Sequence, residues 1–183
     1  MTTCLMPGSF DPFTIGHYRI AMAASQLFPL VVIGVAKNPN RHKSMFSVST
    51  RVKVIEASVA DINHGNIMVE PYDVATVSYC SENNIECIVR GCRNGSEFDS
   101  ELTNKCINDS LSHKTIQTII LPTDPSVSYV SSTLVRWCID QNLEKWKSYV
   151  MKDAIPIIEN ALVVRQANKE FLQKMIMAGC NKT

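Results

Sequence analysis

An excess of charge of one sign is missing from this sequence. Its 183 residues carry 18 basic and 17 acidic side chains. A chain-wide nucleic-acid binder needs a basic surface, and this balance excludes one, leaving room only for a local basic cluster. Long hydrophobic runs are also missing, since nothing approaches the roughly 18 uninterrupted apolar residues of a membrane span. The opening MTTCLMPGSF lacks the basic segment and apolar core of a secretory leader. The seven cysteines are odd in number and never spaced C-x-x-C, which speaks against a zinc site or a disulfide framework. They read as small hydrophobes in a reducing compartment. Both common phosphate cradles, G-x-G-x-x-G and G-x-x-x-x-G-K-[ST], are absent. These absences leave a soluble cytoplasmic protein with neither nucleic acid nor membrane as partner.

What is present is a regular alternation. LVVIGVA (30–36), NIMVE (66–70), ECIVRG (86–91) and IQTIILP (116–122) are short and β-branched, and a first strand fits Thr3–Met6. They read as strands buried on both faces. Between them, 17–28 and 48–62 carry apolar residues at helical spacing, with Ser47 or Ser49 as a cap for the second. Residues 73–83, 97–111 and 131–143 fill the remaining gaps. Alternating strand and helix predicts an α/β, doubly wound, five-stranded parallel sheet. The length and the 45% apolar content fit one domain over 1–183, with helical pieces forming a C-terminal extension from about 145.

In such sheets ligands bind where loops leave the C-terminal ends of the strands. Four loops there hold the unusual residues: PGSFDPFTIGH, KNPNRHKSMF, RGCRNGSEFD and PTDPSVSYVSST. Gly8 and Ser9 allow close backbone approach and add a hydroxyl. Arg41 and Lys43 bring charge, and Arg90 and Arg93 flank a glycine at a strand end. Ser131, Ser132 and Thr133 open a helix, whose N-terminal amides attract anions. Each signal alone has a plain reading as a cap or a solvated charge. Together they suit a polyphosphate.

T-x-G-H at Thr14–His17, following PGSFDP, resembles the nucleotidyltransferase signature that ends in G-H. VSSTLVR (130–136) resembles that superfamily's second signature, I-S-S-[ST]-x-[VI]-[KR]. R-G-x-R-x-x-x-[DE]-F-x-x-E, at 90–101, resembles one branch, phosphopantetheine adenylyltransferase, and the likeness runs from about residue 4 to 140. It implies a Rossmann-like nucleotidyltransferase that moves an adenylyl group from ATP to 4′-phosphopantetheine, giving dephospho-coenzyme A and pyrophosphate. By the same resemblance, His17 and Ser9 are catalytic. ATP is met by Ser9, Phe10, His17, Gly91, Arg93, Glu101, Val127, Ser131, Ser132 and Thr133. The acceptor is met by Ser9, Lys43, Arg41, Thr76 and Arg90. Mg²⁺ is expected to travel on the ATP phosphates without protein side-chain ligands. A homohexamer and feedback by coenzyme A are further implications.

The sequence departs from the family pattern in four places. Ser9 stands where threonine is usual, and Ser100 where an aromatic is common. The PNRHKSMF loop is one residue longer, so Arg41, His42 and Lys43 all remain open as the phosphate contact. The tail after 145 is also longer. Two other functions fit parts of the pattern. Nicotinamide-mononucleotide adenylyltransferase shares the G-H and SSTLVR-like signatures, though it usually has histidine at position 14. A non-catalytic nucleotide sensor would use the same loops without turnover.

Overall fold

Successive residues of a strand face opposite sides of a sheet, and the apolar runs obey that rule. A computed structural model describes residues 2–37, 44–62 and 65–180. Its strands are β1 (Thr3–Gly8), β2 (Leu30–Ala36), β3 (Ile67–Tyr72), β4 (Cys87–Cys92) and β5 (Gln117–Pro122). All pair in parallel, in the order β3-β2-β1-β4-β5. Cys4, Met6, Val31, Ile33, Cys87 and Val89 enter one core, and Leu5, Val32 and Ile88 enter the other. The central strands are buried on both faces as their sequences predict. The edge strands are not: Met68 of β3 is 46% exposed and Ile119 of β5 is 37% exposed. An edge position leaves a strand one neighbour short, and that overrides its apolar composition.

The helices are α1 (Ile15–Leu27), α2 (Val48–Val59), α3 (Thr76–Glu82), α4 (Gly95–Leu111), α5 (Ser132–Asp140) and α6 (Ile155–Cys180). Buried residues of α1, α2, α5 and α6 pack on the first face, those of α3 on the second. Caps explain most boundaries. Ser47 accepts the Thr50 amide at 3.1 Å and starts α2. Asn94 accepts the Glu97 amide at 3.0 Å, so α4 begins two residues before the expected 97. α5 stops at Asp140 rather than at 143, with Asn142 in the left-handed region at φ 55° just beyond. Cys4, Cys80, Cys87 and Cys138 are buried, and burial pushes the Cys4 thiol up to about 12.

The expected helical tail begins instead as two 3-10 turns, Glu144–Tyr149 and Lys152–Ala154, before α6. Trp146, Tyr149, Val150, Ala154 and Ile158 are all buried in the first core. This stretch is therefore built into the core, whereas Val164, Phe171 and Met175 further along α6 are exposed. Trp146→Ala is expected to cost about 3–5 kcal/mol in denaturant unfolding, as for other large buried aromatics. A loss under about 1 kcal/mol would show that the segment is peripheral.

Candidate active site

The chain turns to one side of β1 through β2 and β3, and to the other through β4 and β5. The crevice between the C-terminal ends of β1 and β4 is thus the switch point where such sheets bind ligands. The loop after β1 lines it and is held from two directions. The Asp11 carboxylate accepts the amides of Met45 and Phe46 at 2.8 and 2.9 Å. From α5, Ser132 donates to the Pro12 carbonyl at 2.8 Å and Arg136 to the Asp11 carbonyl at 2.6 Å. Buried Arg51 of α2 donates to the Ser9 carbonyl. Phe10 adopts a positive φ of 45° and tucks its ring under Gly8. A Cβ on Gly8 would lie 2.6 Å from that ring, so any larger residue there would have to displace it.

His17 is the third residue of α1, not its first, because Thr14 takes the capping position. Its Nδ1 accepts the Thr14 amide at 3.0 Å, with the Thr14 hydroxyl 3.1 Å away. That places the single ring proton of the neutral form on Nε2. Phe10 and Phe13 pack on the ring at centroid distances of 5.1 and 5.3 Å. Burial pulls its pKa down to about 4, and the positive charges of Arg93 and Arg90 push the same way. At neutral pH His17 is an uncharged, oriented hydrogen-bond donor.

The two arginines of the 90–101 segment are both held by carboxylates. Arg90 donates from Nε and Nη2 to Glu101 at 2.8 and 2.7 Å, and from Nη1 to the Pro7 carbonyl at 2.6 Å. Burial lifts the Glu101 carboxyl, but the hydrogen bond and charge of Arg90, helped by Asn104, outweigh it and leave the group below the usual carboxylate range. Arg93 donates from Nε to Glu97 at 3.0 Å and from Nη2 to the same carboxylate. Each guanidinium keeps further N–H groups beyond these contacts.

Two cavities open at this crevice. One, of about 370 Å³, is lined by Ser9, Phe10, His17, Arg90, Gly91, Arg93, Glu101, Ser131, Ser132 and Thr133. All ten of these residues are named from the sequence. Thr76 lines the second, of about 400 Å³, together with Tyr72, Asn104 and Asn108. Pro7, Gly8, Ser9 and Arg90 belong to both. Val127 does not join either: it is buried in a 3-10 turn, Pro125–Val127, beneath the loop it was expected to serve. Arg41, His42 and Lys43 lie outside the described residues. The wall of the first cavity also includes Glu97, Thr123 and Arg136, which sequence reasoning did not single out. Glu97 and Arg136 had a signal, for both are fixed positions of the quoted patterns.

Ser131 caps α5 by accepting the Leu134 amide at 3.0 Å, leaving the first amides of that helix without a partner inside it. A triphosphate fits such a wall: an N-terminal helix end, three arginines and a neutral histidine donor.

Known proteins agree with this chemistry. Residues 5–137 match the cytidylyltransferase-like family. Phosphopantetheine adenylyltransferase from Streptomyces coelicolor is 34% identical over 169 residues, covering 92% of this chain and 100% of that protein. The enzyme of the same name from Pasteurella multocida is 38% identical over 136 residues, covering 74% and 84%. A crystal structure from Vibrio parahaemolyticus, named as a nicotinate-nucleotide adenylyltransferase, superposes with a TM-score of 0.63 at 15% identity, over 87% of this chain and 93% of that one. That last likeness bears on the fold alone, which is the expected Rossmann-like one. On fold, family model and close relatives together, the chain belongs to the phosphopantetheine adenylyltransferases of the cytidylyltransferase-like family.

Proposed function

We propose that this protein transfers the adenylyl group of ATP to 4′-phosphopantetheine, forming dephospho-coenzyme A and releasing pyrophosphate. The observation that carries the reading is the shared wall: two cavities meet at Ser9 and Arg90, so two substrates can touch there. ATP takes the cavity lined by His17, Gly91, Arg93 and the start of α5. The pantetheine arm runs into the cavity of Thr76, and its phosphate reaches Arg90.

The nucleophile is a phosphate oxygen already ionised at neutral pH, so no general base is needed. That oxygen bonds to the α-phosphorus as the bond to the β-phosphate bridging oxygen breaks, and pyrophosphate carries off the electron pair. Catalysis is then positioning and charge stabilisation. His17 donates from Nε2 to an α-phosphate oxygen as negative charge grows there. Ser9 holds the phosphates at the junction. Arg90 keeps the acceptor in line.

Among the described residues no group of three or more His, Cys, Asp or Glu side chains could hold a metal ion. The carboxylates nearest the cavity, Glu97 and Glu101, are each paired with an arginine. Mg²⁺ arriving with ATP would be held through the triphosphate oxygens and would supply charge screening there.

Coenzyme A would span both cavities and compete for them, which is the basis for feedback. α4 buries only Glu101 and exposes Phe98, Leu102, Ile107 and Leu111, which supports a homo-oligomer, the hexamer of the resemblance. Among the described residues no helix is long and apolar enough to cross a membrane, and six cysteines are unpaired, in keeping with a cytoplasmic enzyme.

The reverse reaction tests the proposal cleanly. Dephospho-coenzyme A and pyrophosphate, with Mg²⁺, should yield ATP in a luciferase-coupled assay. No ATP from a folded protein would overturn the reading in favour of a nucleotide sensor.

A further inference from the structure

Glu97 stands at the third position of α4, and two kinds of contact converge on it. Its amide donates to Asn94 Oδ1 at 3.0 Å, completing the helix cap. Its carboxylate accepts the Arg93 amide and Nε, each at 3.0 Å, and Arg93 Nη2 on the other oxygen. Arg93 Nη1 reaches the carbonyl of Val130, the residue before the cap of α5, at 3.3 Å. Carboxylate, guanidinium and carbonyl thus form a chain that ties the start of α4 to the start of α5 across the first cavity. Three of the five guanidinium N–H groups are used, leaving one on Nη1 and one on Nη2 for an anion.

We propose that Glu97 is a positioning residue of the nucleotide cavity, fixing Arg93 against Val130 so that the two loops grip the triphosphate as one preformed unit. The proposal rests on the assignment of ATP to this cavity. A guanidinium already held in place loses less freedom when a ligand arrives. Hydrogen bonds from Arg93 outweigh partial burial and hold the Glu97 carboxyl below the usual range, so it stays ionised at neutral pH. Two other roles are open to a carboxylate here, and each predicts something different. A mere helix cap would govern stability and leave ATP affinity alone. A repulsive gate would weaken ATP binding, so that its removal tightens it.

The test is ATP titration by calorimetry, without acceptor, on Glu97→Gln, Arg93→Ala and the double variant. Glutamine leaves the backbone amide donating to the Asn94 cap and still offers one acceptor to the Arg93 amide, but has no charge and no second carboxylate oxygen. Glu97→Gln is expected to raise the ATP Kd about tenfold, with Tm nearly unchanged and the KM for the acceptor unaltered. In the Arg93→Ala background it should add nothing. Glu97→Asp, which keeps the charge with a shorter reach, should fall between. An unchanged or lower Kd for Glu97→Gln overturns the proposal, as does an equal loss with and without Arg93. Full ATP affinity in Arg93→Ala alone would instead overturn the assignment of this cavity to the nucleotide.

Discussion

Replacing His17 by alanine is expected to lower kcat by about 10²–10³, the usual worth of one preorganised donor to a developing oxyanion. ATP affinity should change by less than about threefold, because the hydrogen bond strengthens only as charge builds on the α-phosphate. The ring is set up for this task. Nδ1 is occupied by the Thr14 amide, and Phe10 and Phe13 fix the ring plane. With its pKa near 4, His17 donates as a neutral imidazole. The rate should therefore show no decline through pH 6.5, where an ordinary histidine loses its charge. A decline there would mean that the cation does the work. Stability carries the opposite signature. The unfolded ring takes a proton near 6.5 and the folded one only near 4, so stability falls as pH drops between those values. His17→Gln should flatten that slope while keeping an N–H donor.

Arg90→Ala is expected to raise the KM for 4′-phosphopantetheine by about 10², since hydrogen bonds to charged groups contribute roughly 1.5–3 kcal/mol each. The KM for ATP should stay within about threefold. If only the ATP dependence moved, the division of the two cavities between the substrates would be inverted. The same change strands Glu101, whose side chain is only 12% exposed. In the parent protein its lowered pKa gives stability that is present above the unfolded carboxylate value and lost as pH falls through the folded one. Without Arg90, only the hydrogen bond from Asn104 opposes burial and the carboxyl rises, so the variant should be least stable at neutral and higher pH. Adding Glu101→Gln should restore stability without restoring the KM. That split separates the packing role of the pair from its substrate role.

The sequence disclosed this site unevenly, for physical reasons. Short, continuous β-branched runs and the helical spacing between them were enough for the parallel sheet, and the switch-point rule then placed the loops. His17 was legible because a histidine beside a glycine-rich loop has few plain uses. Arg90 and Arg93 were legible as cations at a strand end, but their pairing with Glu101 and Glu97 was not. The pairing depends on α4 starting at Gly95, set by the Asn94 cap rather than by apolar periodicity. The burial of Val127 was not legible, because a loop position gives no hint of which residue turns inward. The partial exposure of β3 and β5 was equally hidden, since strand order, not composition, decides which strands stand at the edge.

The most direct measurement is pyrophosphate release with ATP and Mg²⁺, comparing 4′-phosphopantetheine with nicotinamide mononucleotide as acceptor. Release with phosphopantetheine and not with the mononucleotide is the result expected from two cavities joined at Ser9 and Arg90. Release with the mononucleotide alone would contradict that reading of the 90–101 segment, while leaving the fold and the adenylyl-transfer chemistry in place.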